Sequence, residues 1–145
     1  MRGWAGRIGR LALAGLVIGG LLAGCGRDKG DPVKISRNFI VANWTGDVKT
    51  VEMLTCKDWR SVTTGWAQSG DPSLTVDPDH LTFEITTKTD SLIELVMSGM
   101  VTFKAANGQT EVRTLDDSSA VRFILVDEDG WKVCDVREWQ PDQAN

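Results

Sequence analysis

The sequence predicts an α+β fold in which N-terminal helices pack on a curved antiparallel sheet. Before residue 69, apolar side chains recur at spacings of three and four, which is typical of amphipathic helices. After residue 80 the apolar period changes to two, which is typical of strands. Helices followed by a meander of antiparallel strands are typical of the α+β class. We assign a single domain to residues 33–140 and a C-terminal tail to residues 141–145.

The first residues have the composition of an export signal. Arg2, Arg7 and Arg10 form a positive head, and residues 11–22 form an uncharged apolar body. A membrane span needs roughly 20 apolar residues, so this body is too short to cross a bilayer. The segment ends in Leu21-Leu22-Ala23-Gly24-Cys25, which resembles the lipobox of bacterial lipoproteins.

This resemblance implies that residues 1–24 are a signal peptide and that Cys25 carries a diacylglyceryl group on its sulfur. Two or three fatty chains anchor a protein firmly, because each buried CH₂ contributes about 0.8 kcal/mol. Residues 25–32 are polar, contain two glycines and predict a flexible tether. The expected location is the cell membrane or outer membrane, on the extracytoplasmic side. The alternative is an uncleaved membrane anchor with an incidental cysteine.

The charge of the processed chain argues against nucleic acid as a partner. Without the three leader arginines, 13 basic residues face 20 acidic ones, a net charge of −7. Such a surface repels phosphate backbones and anionic lipid headgroups. The lipid on Cys25 is therefore the expected contact with the membrane.

Cys56 and Cys134 form an even pair in a compartment expected to be oxidising, which predicts a disulfide. The bridge would close a loop of 78 residues, which contributes roughly 4 kcal/mol in the chain-entropy model. Two buried free thiols or a metal-binding pair remain the alternatives. With one histidine and no C-x-x-C motif in the chain, we expect no metal and no cofactor.

Three helices are predicted before residue 69. The first covers residues 33–45, and Gly46 can close it in a left-handed cap. Asp47 can cap the second helix. Residues 57–68 predict a short third helix, and residues 69–78 a loop, because two glycine- or proline-containing turn signals lie there.

Five strands are predicted after the loop. They cover residues 81–86, 92–105, 110–115, 121–125 and 131–139. The segment 92–105 has apolar residues on both faces, which predicts a central strand, and Gly99 predicts a bulge or bend within it. Glu84 and Glu94 alternate with apolar neighbours and indicate the exposed side of the sheet.

Two stretches resemble the nuclear-transport-factor-two-like superfamily. Phe39-Ile-Val-Ala-Asn-Trp-Thr-Gly-Asp47, followed by Met53-Leu-Thr-Cys-Lys-Asp-Trp59, resembles its opening. Phe123-Ile-Leu-Val-Asp-Glu-Asp-Gly-Trp-Lys-Val-Cys134 resembles its last hairpin. The resemblance covers about residues 33–138 and implies a sheet curled around a long helix into a cone, as in ketosteroid isomerase. It also implies that the second helix lies near the last strand, which would bring Cys56 to Cys134.

Strict alternation along the last strand predicts an awkward arrangement. Cys134 and Val136 would share one face, and Trp131, Val133 and Trp139 the other. If the cysteine points at the helices, the tryptophans point away and cover an edge or contact a second copy. A β-bulge would remove this constraint.

No catalytic residue can be assigned from the sequence. His80 is the single histidine, but adjacent residues on a strand face opposite ways, so Asp79 is badly placed to orient it. The superfamily's isomerases need a pocket aspartate and a tyrosine donor, and this chain contains no tyrosine. Asp90 and Asp135 are expected to be solvated.

The leading interpretation is a non-enzymatic, lipid-anchored protein of the cell envelope. It would bind a small apolar ligand, or a protein partner or second copy through the sheet. If the cone holds a pocket, its expected lining is Trp44, Trp59, Met97, Met100 and Phe123. The alternative is an isomerase-like or hydrolase-like enzyme of the same fold. A buried pocket carboxylate would favour the enzyme, whereas a filled core with a large apolar outer sheet face would favour the interaction protein.

Overall fold

The computed structural model describes residues 27–138 and confirms the α+β class, with three helices on one face of a curved antiparallel sheet. The helices are α1 (Pro32–Trp44), α2 (Val48–Leu54) and α3 (Arg60–Gln68), and a 3-10 turn, Lys57–Trp59, precedes α3. The six strands are β1 (Thr75–Asp77), β2 (Leu81–Lys88), β3 (Leu92–Lys104), β4 (Thr110–Leu115), β5 (Val121–Asp127) and β6 (Trp131–Glu138). The predicted signal peptide, Cys25, Trp139 and the tail at 141–145 lie outside the described residues.

The first two helices begin at aspartate caps. Asp31 accepts hydrogen bonds from the backbone N–H groups of Val33, at 2.9 Å, and Lys34. Pro32 suits the first turn because its missing N–H would have no partner there. Asp47 caps α2 as predicted, by accepting from the backbone N–H of Thr50 at 3.1 Å. In the described part of the chain, no helix has the length and apolar character needed to cross a bilayer.

β3 is the central strand, as its two apolar faces predicted. Its first half pairs with β2 and β5, and its second half pairs with β1 and β4. The change of partners falls at Gly99, whose φ is +103°. A Cβ at this position would lie 2.3 Å from the backbone oxygen of His80, so only glycine fits this bend.

The segment predicted as a loop at residues 69–78 contains the short strand β1, which is a correction. β1 pairs with the end of β3, where Val76 lies opposite Phe103. Val76 packs against the core, so tertiary contacts stabilise this strand. Three residues are too few to show a period of two in the sequence.

Side chains from α1, α2, β3, β5 and β6 fill the space between the helices and the sheet. The fully buried apolar members include Phe39, Val51, Ile93, Leu95, Met97, Phe123, Leu125 and Val133. The rings of Phe39 and Phe123 meet edge to face at 6.3 Å. The interior of the sheet is therefore a packed core along the first half of β3.

A β-bulge in β6 overturns the strict alternation expected for the last strand. Val133 lies opposite Leu125 and Asp135 lies opposite Ile124, which leaves Cys134 as the extra residue. Trp131, Val133 and Val136 all pack on the core. The exception stated for a β-bulge therefore applies: Trp131 packs on the core although the sulfur of Cys134 approaches Cys56.

Part of the segment predicted as a flexible tether, residues 25–32, contacts the β5–β6 turn in the structure. Arg27 forms a 2.6 Å ion pair with Asp129, and Lys29 forms one of 3.0 Å with Asp127. The backbone oxygen of Lys29 also accepts from the first N–H of β6 at 2.9 Å. Basic residues of this segment thus dock on the acidic β5–β6 turn, a long-range attraction that local composition does not reveal.

Candidate ligand groove

An apolar groove of about 400 Å³ lies between the second half of α1, the end of α3 and β6; we call it the α1–α3 groove. It is lined by Phe39, Ile40, Asn43, Trp44, Trp66, Ser69, Gly70, Asp71, Leu74 and Val136. Phe39 and Val136 belong to the core, so the groove floor is continuous with the packed interior. The groove is consequently a surface feature built on a rigid base.

Backbone contacts hold the two walls of the groove together. The N–H of Asp71 donates to the backbone oxygen of Trp44 at 3.0 Å, so the segment after α3 is tied to the end of α1. The two backbone segments can approach this closely because Gly70 has no side chain. A Cβ there would lie 2.3 Å from the backbone oxygen of Asn43 and 2.4 Å from the N atom of Gly46.

Two indole rings form much of the apolar surface of the groove. Trp44 packs edge to face on Phe103, with ring centroids 5.1 Å apart. Trp66 packs edge to face on Trp59 at 5.0 Å and remains 45% exposed. A large aromatic side chain held by a neighbour yet open to solvent is typical of a binding surface.

The polar groups of the groove are few. Asn43 is 9% exposed, and its Nδ2 donates to the backbone oxygen of Phe39 at 3.3 Å. Its Oδ1 has no hydrogen-bond partner among the described residues. A buried acceptor left without a donor costs roughly 1–3 kcal/mol, so the groove floor contains one unsatisfied acceptor.

Asp71 places a negative charge at the rim. Its Oδ1 accepts from Ser73 twice, from the hydroxyl at 2.7 Å and from the backbone N–H at 2.8 Å. These two hydrogen bonds hold the pKa of the Asp71 carboxyl below its ordinary value, and the bond from the Ser73 hydroxyl has the larger effect. The carboxylate is therefore ionised at neutral pH. Asp71 is the one titratable residue in the lining, so the groove combines an apolar body with an anionic rim.

A second groove of about 390 Å³ lies beyond Leu74, along β4. Its lining includes Phe103, Gln109, Thr110 and Glu111. It is more polar than the α1–α3 groove, and the ion pair of Glu111 with Arg113 at 2.6 Å already satisfies its charge. The α1–α3 groove is accordingly the better candidate for an apolar ligand.

Of the predicted pocket residues, Trp44 alone lines the α1–α3 groove. Met97 and Phe123 are fully buried among the side chains of the core. Met100 is 46% exposed, and it alternates with the buried Val101, so it lies on the outer face of the sheet. Trp59 packs edge to face on Trp66 but does not itself line the groove. The other contributors to the lining carry no distinguishing signal in the sequence, since they meet through tertiary packing.

The acidic and histidine residues weighed as catalytic groups lie outside the groove. His80 is exposed, and the Asp77 carboxylate beside it accepts from the backbone N–H of Asp79 at 3.0 Å. Asp90 is exposed in the β2–β3 turn. Asp135 lies on the outer face, where it pairs with Arg137. The structure does not bring these side chains together.

The outer face of the sheet carries charges. Glu84 is exposed there, as predicted, and Glu94 forms a 2.6 Å ion pair with Arg122. Asp135 and Arg137 form a second pair beside them. The outer face of the described sheet therefore combines these charges with exposed apolar side chains, among them Met100 and Val112.

The structure brings Cys56 and Cys134 together. Both are unbridged thiols, and their sulfur atoms and a carboxylate oxygen of Glu128 all lie within 4.8 Å of one another. Burial, a hydrogen bond with Cys56 and the nearby charges raise the pKa of the Cys134 thiol far above its ordinary value. The predicted proximity is thus present, and the disulfide itself stays a prediction.

No family model and no curated protein matches the chain. Among solved structures, it is similar to a SEC-C motif-containing protein from Rhodopseudomonas palustris, at 13% identity and a TM-score of 0.47, over 79% of this chain and 83% of that one. The association domain of C. elegans CaMKII is similar at 12% identity and a TM-score of 0.48, over 74% and 92%. The intermembrane space region of the chloroplast protein ARC6 is similar at 15% identity and a TM-score of 0.40, over 75% and 97%. No functional conclusion rests on likenesses this distant.

Proposed function

We propose that this protein binds a small molecule with an apolar ring or chain and a cationic or hydrogen-bond-donating group. The observation that carries the proposal is the α1–α3 groove, in which the exposed indole of Trp66 faces an apolar floor and an ionised Asp71 stands at the rim. Burying apolar surface contributes roughly 25 cal/mol per Å². The carboxylate then favours a positive or donating end group over an anionic one.

The expected lipid anchor adds a location to this proposal. Residues 27–31 dock at the β5–β6 turn, next to the first residue of α1. A lipid on Cys25 would lie within about 7 Å of Arg27, because an extended residue spans roughly 3.5 Å. The groove lies at the other end of α1, which has 13 residues and is thus about 20 Å long. This separation supports capture of a ligand from the aqueous side of the envelope.

A matched pair of probes tests the proposed ligand chemistry. 1-Naphthylmethylamine and 1-naphthylmethanol share a ring, but one is a cation and the other a neutral donor. We expect both to produce saturable shifts of the indole N–H resonances of Trp44 and Trp66 in ¹⁵N spectra of the purified protein. The cation should bind more tightly, because Asp71 attracts it.

Two variants assign the binding to the groove. Trp66→Ala should weaken both probes about tenfold, which corresponds to about 1.4 kcal/mol. Asp71→Asn should weaken the cation and leave the alcohol unchanged. Met100→Ala is the control, because Met100 is as exposed as Trp66 but lies on the outer face of the sheet. Equal effects of Trp66→Ala and Met100→Ala, or the absence of saturation with either probe, would disprove the proposal.

A further inference from the structure

We infer that Cys56 and Cys134 close into a structural disulfide that ties the end of α2 to the bulge of β6. The inference does not depend on the α1–α3 groove. It rests on the backbone arrangement that holds the two residues side by side, on the burial of Cys56 and on the identity of the third group beside the sulfurs.

The backbone already joins the two segments. The N–H of Cys56 donates to the backbone oxygen of Val133 at 3.0 Å, and Thr55 and Val133 form a parallel β-bridge. Thr55 is itself held by its hydroxyl, which donates to the backbone oxygen of Val51 at 2.6 Å. Cys56 therefore lies directly beside the residue that precedes Cys134.

The bulge in β6 turns Cys134 toward this contact. In regular alternation Cys134 would lie on the face opposite Val133, which is fully buried against the helices. As the extra residue of the bulge it is released from that alternation, and its sulfur lies within 4.8 Å of the Cys56 sulfur. The bulge is thus the feature that makes the pair geometrically available.

Closure needs an oxidant, which we name by class as an oxidised dithiol protein of the extracytoplasmic space. The S–S bond of that protein is broken and reduced to two thiols. One S–S bond forms between Cys56 and Cys134, which together lose two electrons and two protons. Attack by a thiolate and passage through a mixed disulfide is the ordinary route of this exchange.

The environment of the sulfurs favours the closed bridge over a reactive redox pair. Cys56 is 5% exposed, so an attacking thiolate has little access to it. Glu128 lies beside both sulfurs, and its negative charge is one of the factors that disfavour a Cys134 thiolate. A thiol with a raised pKa leaves slowly, so the disulfide should resist reduction.

A metal ion is the competing occupant of this cluster. Glu128 already accepts from the backbone N–H of Lys57 at 3.0 Å. No fourth histidine, cysteine or acidic residue between positions 27 and 138 joins the group. Structural zinc sites use four protein ligands, and both thiols would have to ionise beside a carboxylate. The disulfide fits these residues better.

The first test uses the full chain, expressed with its own leader and isolated from the cell envelope. Free thiols are alkylated before digestion, and the peptides are mapped without reductant. We expect a cross-linked peptide containing Cys56 and Cys134, an intact mass lower by two hydrogen atoms, and no alkylation of either residue. Alkylation of both cysteines, or one zinc or copper ion per chain by elemental analysis, would overturn the inference.

The second test measures how the pair responds to reduction. Reductant should lower the melting temperature by about 10–20 °C. The double variant Cys56→Ala/Cys134→Ala should melt at that lower temperature and lose all sensitivity to reductant. A melting temperature that reductant leaves unchanged in the parent protein would contradict a structural bridge.

Glu128→Gln tests the carboxylate, with Asp129→Asn as the control. Both are exposed side chains of the β5–β6 turn, but Glu128 lies beside the two sulfurs whereas Asp129 pairs with Arg27. Reduction by dithiothreitol should be several-fold faster in Glu128→Gln and unchanged in Asp129→Asn. Equal rates in the two variants would remove the role assigned to Glu128.

Discussion

Two glycines with similar backbone angles occupy different surroundings. Gly99 in β3 has a φ of +103°, and Gly108 in the β3–β4 turn has a φ of +84°. A Cβ at Gly99 would meet the backbone oxygen of His80 at 2.3 Å, whereas nothing lies within 4 Å of a Cβ at Gly108. A side chain would therefore strain the backbone at both positions, but it would also overlap a neighbouring atom at Gly99.

Gly99→Ala should reduce the free energy of unfolding by about 3 kcal/mol, because strain and steric overlap combine. Gly108→Ala should cost about 1 kcal/mol, the strain alone. Urea denaturation of both variants measures the difference. Similar losses would show that the contact with His80 does not constrain the bend in β3.

Two side-chain oxygens of α1 are buried without a hydrogen-bond partner among the described residues because this helix packs against the core. Ser36 and Asn43 both belong to the buried face of α1, and each has a side-chain oxygen without a partner among the described residues. The apolar residues Phe39 and Ala42 share that face. Burial of α1 therefore includes two polar oxygens, one of which lies at the groove floor.

α2 is a short element that depends on its cap. Seven residues are too few for a stable isolated helix in water. The Asp47 carboxylate accepts from the Thr50 hydroxyl at 2.6 Å and from its backbone N–H at 3.1 Å. These two bonds, of which the one from the hydroxyl has the larger effect, hold the pKa of the Asp47 carboxyl below its ordinary value.

Asp47→Ala should cost about 1 kcal/mol at pH 7, a typical loss for an N-cap. Asp47→Asn is the matched control, since asparagine caps about as well as aspartate. The lowered folded-state pKa contributes stability above the unfolded pKa, near 3.9, and this contribution disappears as pH falls through the folded pKa. Any advantage of the parent over Asp47→Asn in thermal melts should thus begin to shrink as the pH falls below about 4 and disappear once the pH lies below the folded-state pKa. An advantage that grows on acidification would contradict the assigned cap.

At the scale of the whole molecule, β3 divides the protein into a filled core and a solvated outer face. Met97 and Met100 lie three residues apart on this strand and face opposite ways. Met97 is fully buried, and Met100 is 46% exposed. Two methionines of the same strand therefore lie on opposite faces of the sheet, one in the core and one in contact with solvent.

Met97→Ala should lower the free energy of unfolding by about 2–5 kcal/mol, because it opens a cavity in a packed core. Met100→Ala should change it by no more than about 0.5 kcal/mol. Chemical denaturation measures both, and equal effects would indicate an open interior rather than a packed core.

The success of the sequence-based predictions depended on the range of the interactions involved. The Asp47 cap, the central strand β3 and the bend at Gly99 follow from local periodicity and turn chemistry, and the structure contains all three. Met97 and Phe123, named as lining residues in case the cone holds a pocket, are fully buried side chains. Periodicity shows which face is apolar but not whether the enclosed space is filled.

The sequence by itself determined the α+β order, the Asp47 cap and the central position of β3, because these depend on residues close together in the chain. The tertiary structure decided which apolar surface stays open as the α1–α3 groove. It also decided that a bulge brings Cys134 to Cys56. Both depend on contacts between segments far apart in sequence, whose packing no local pattern encodes.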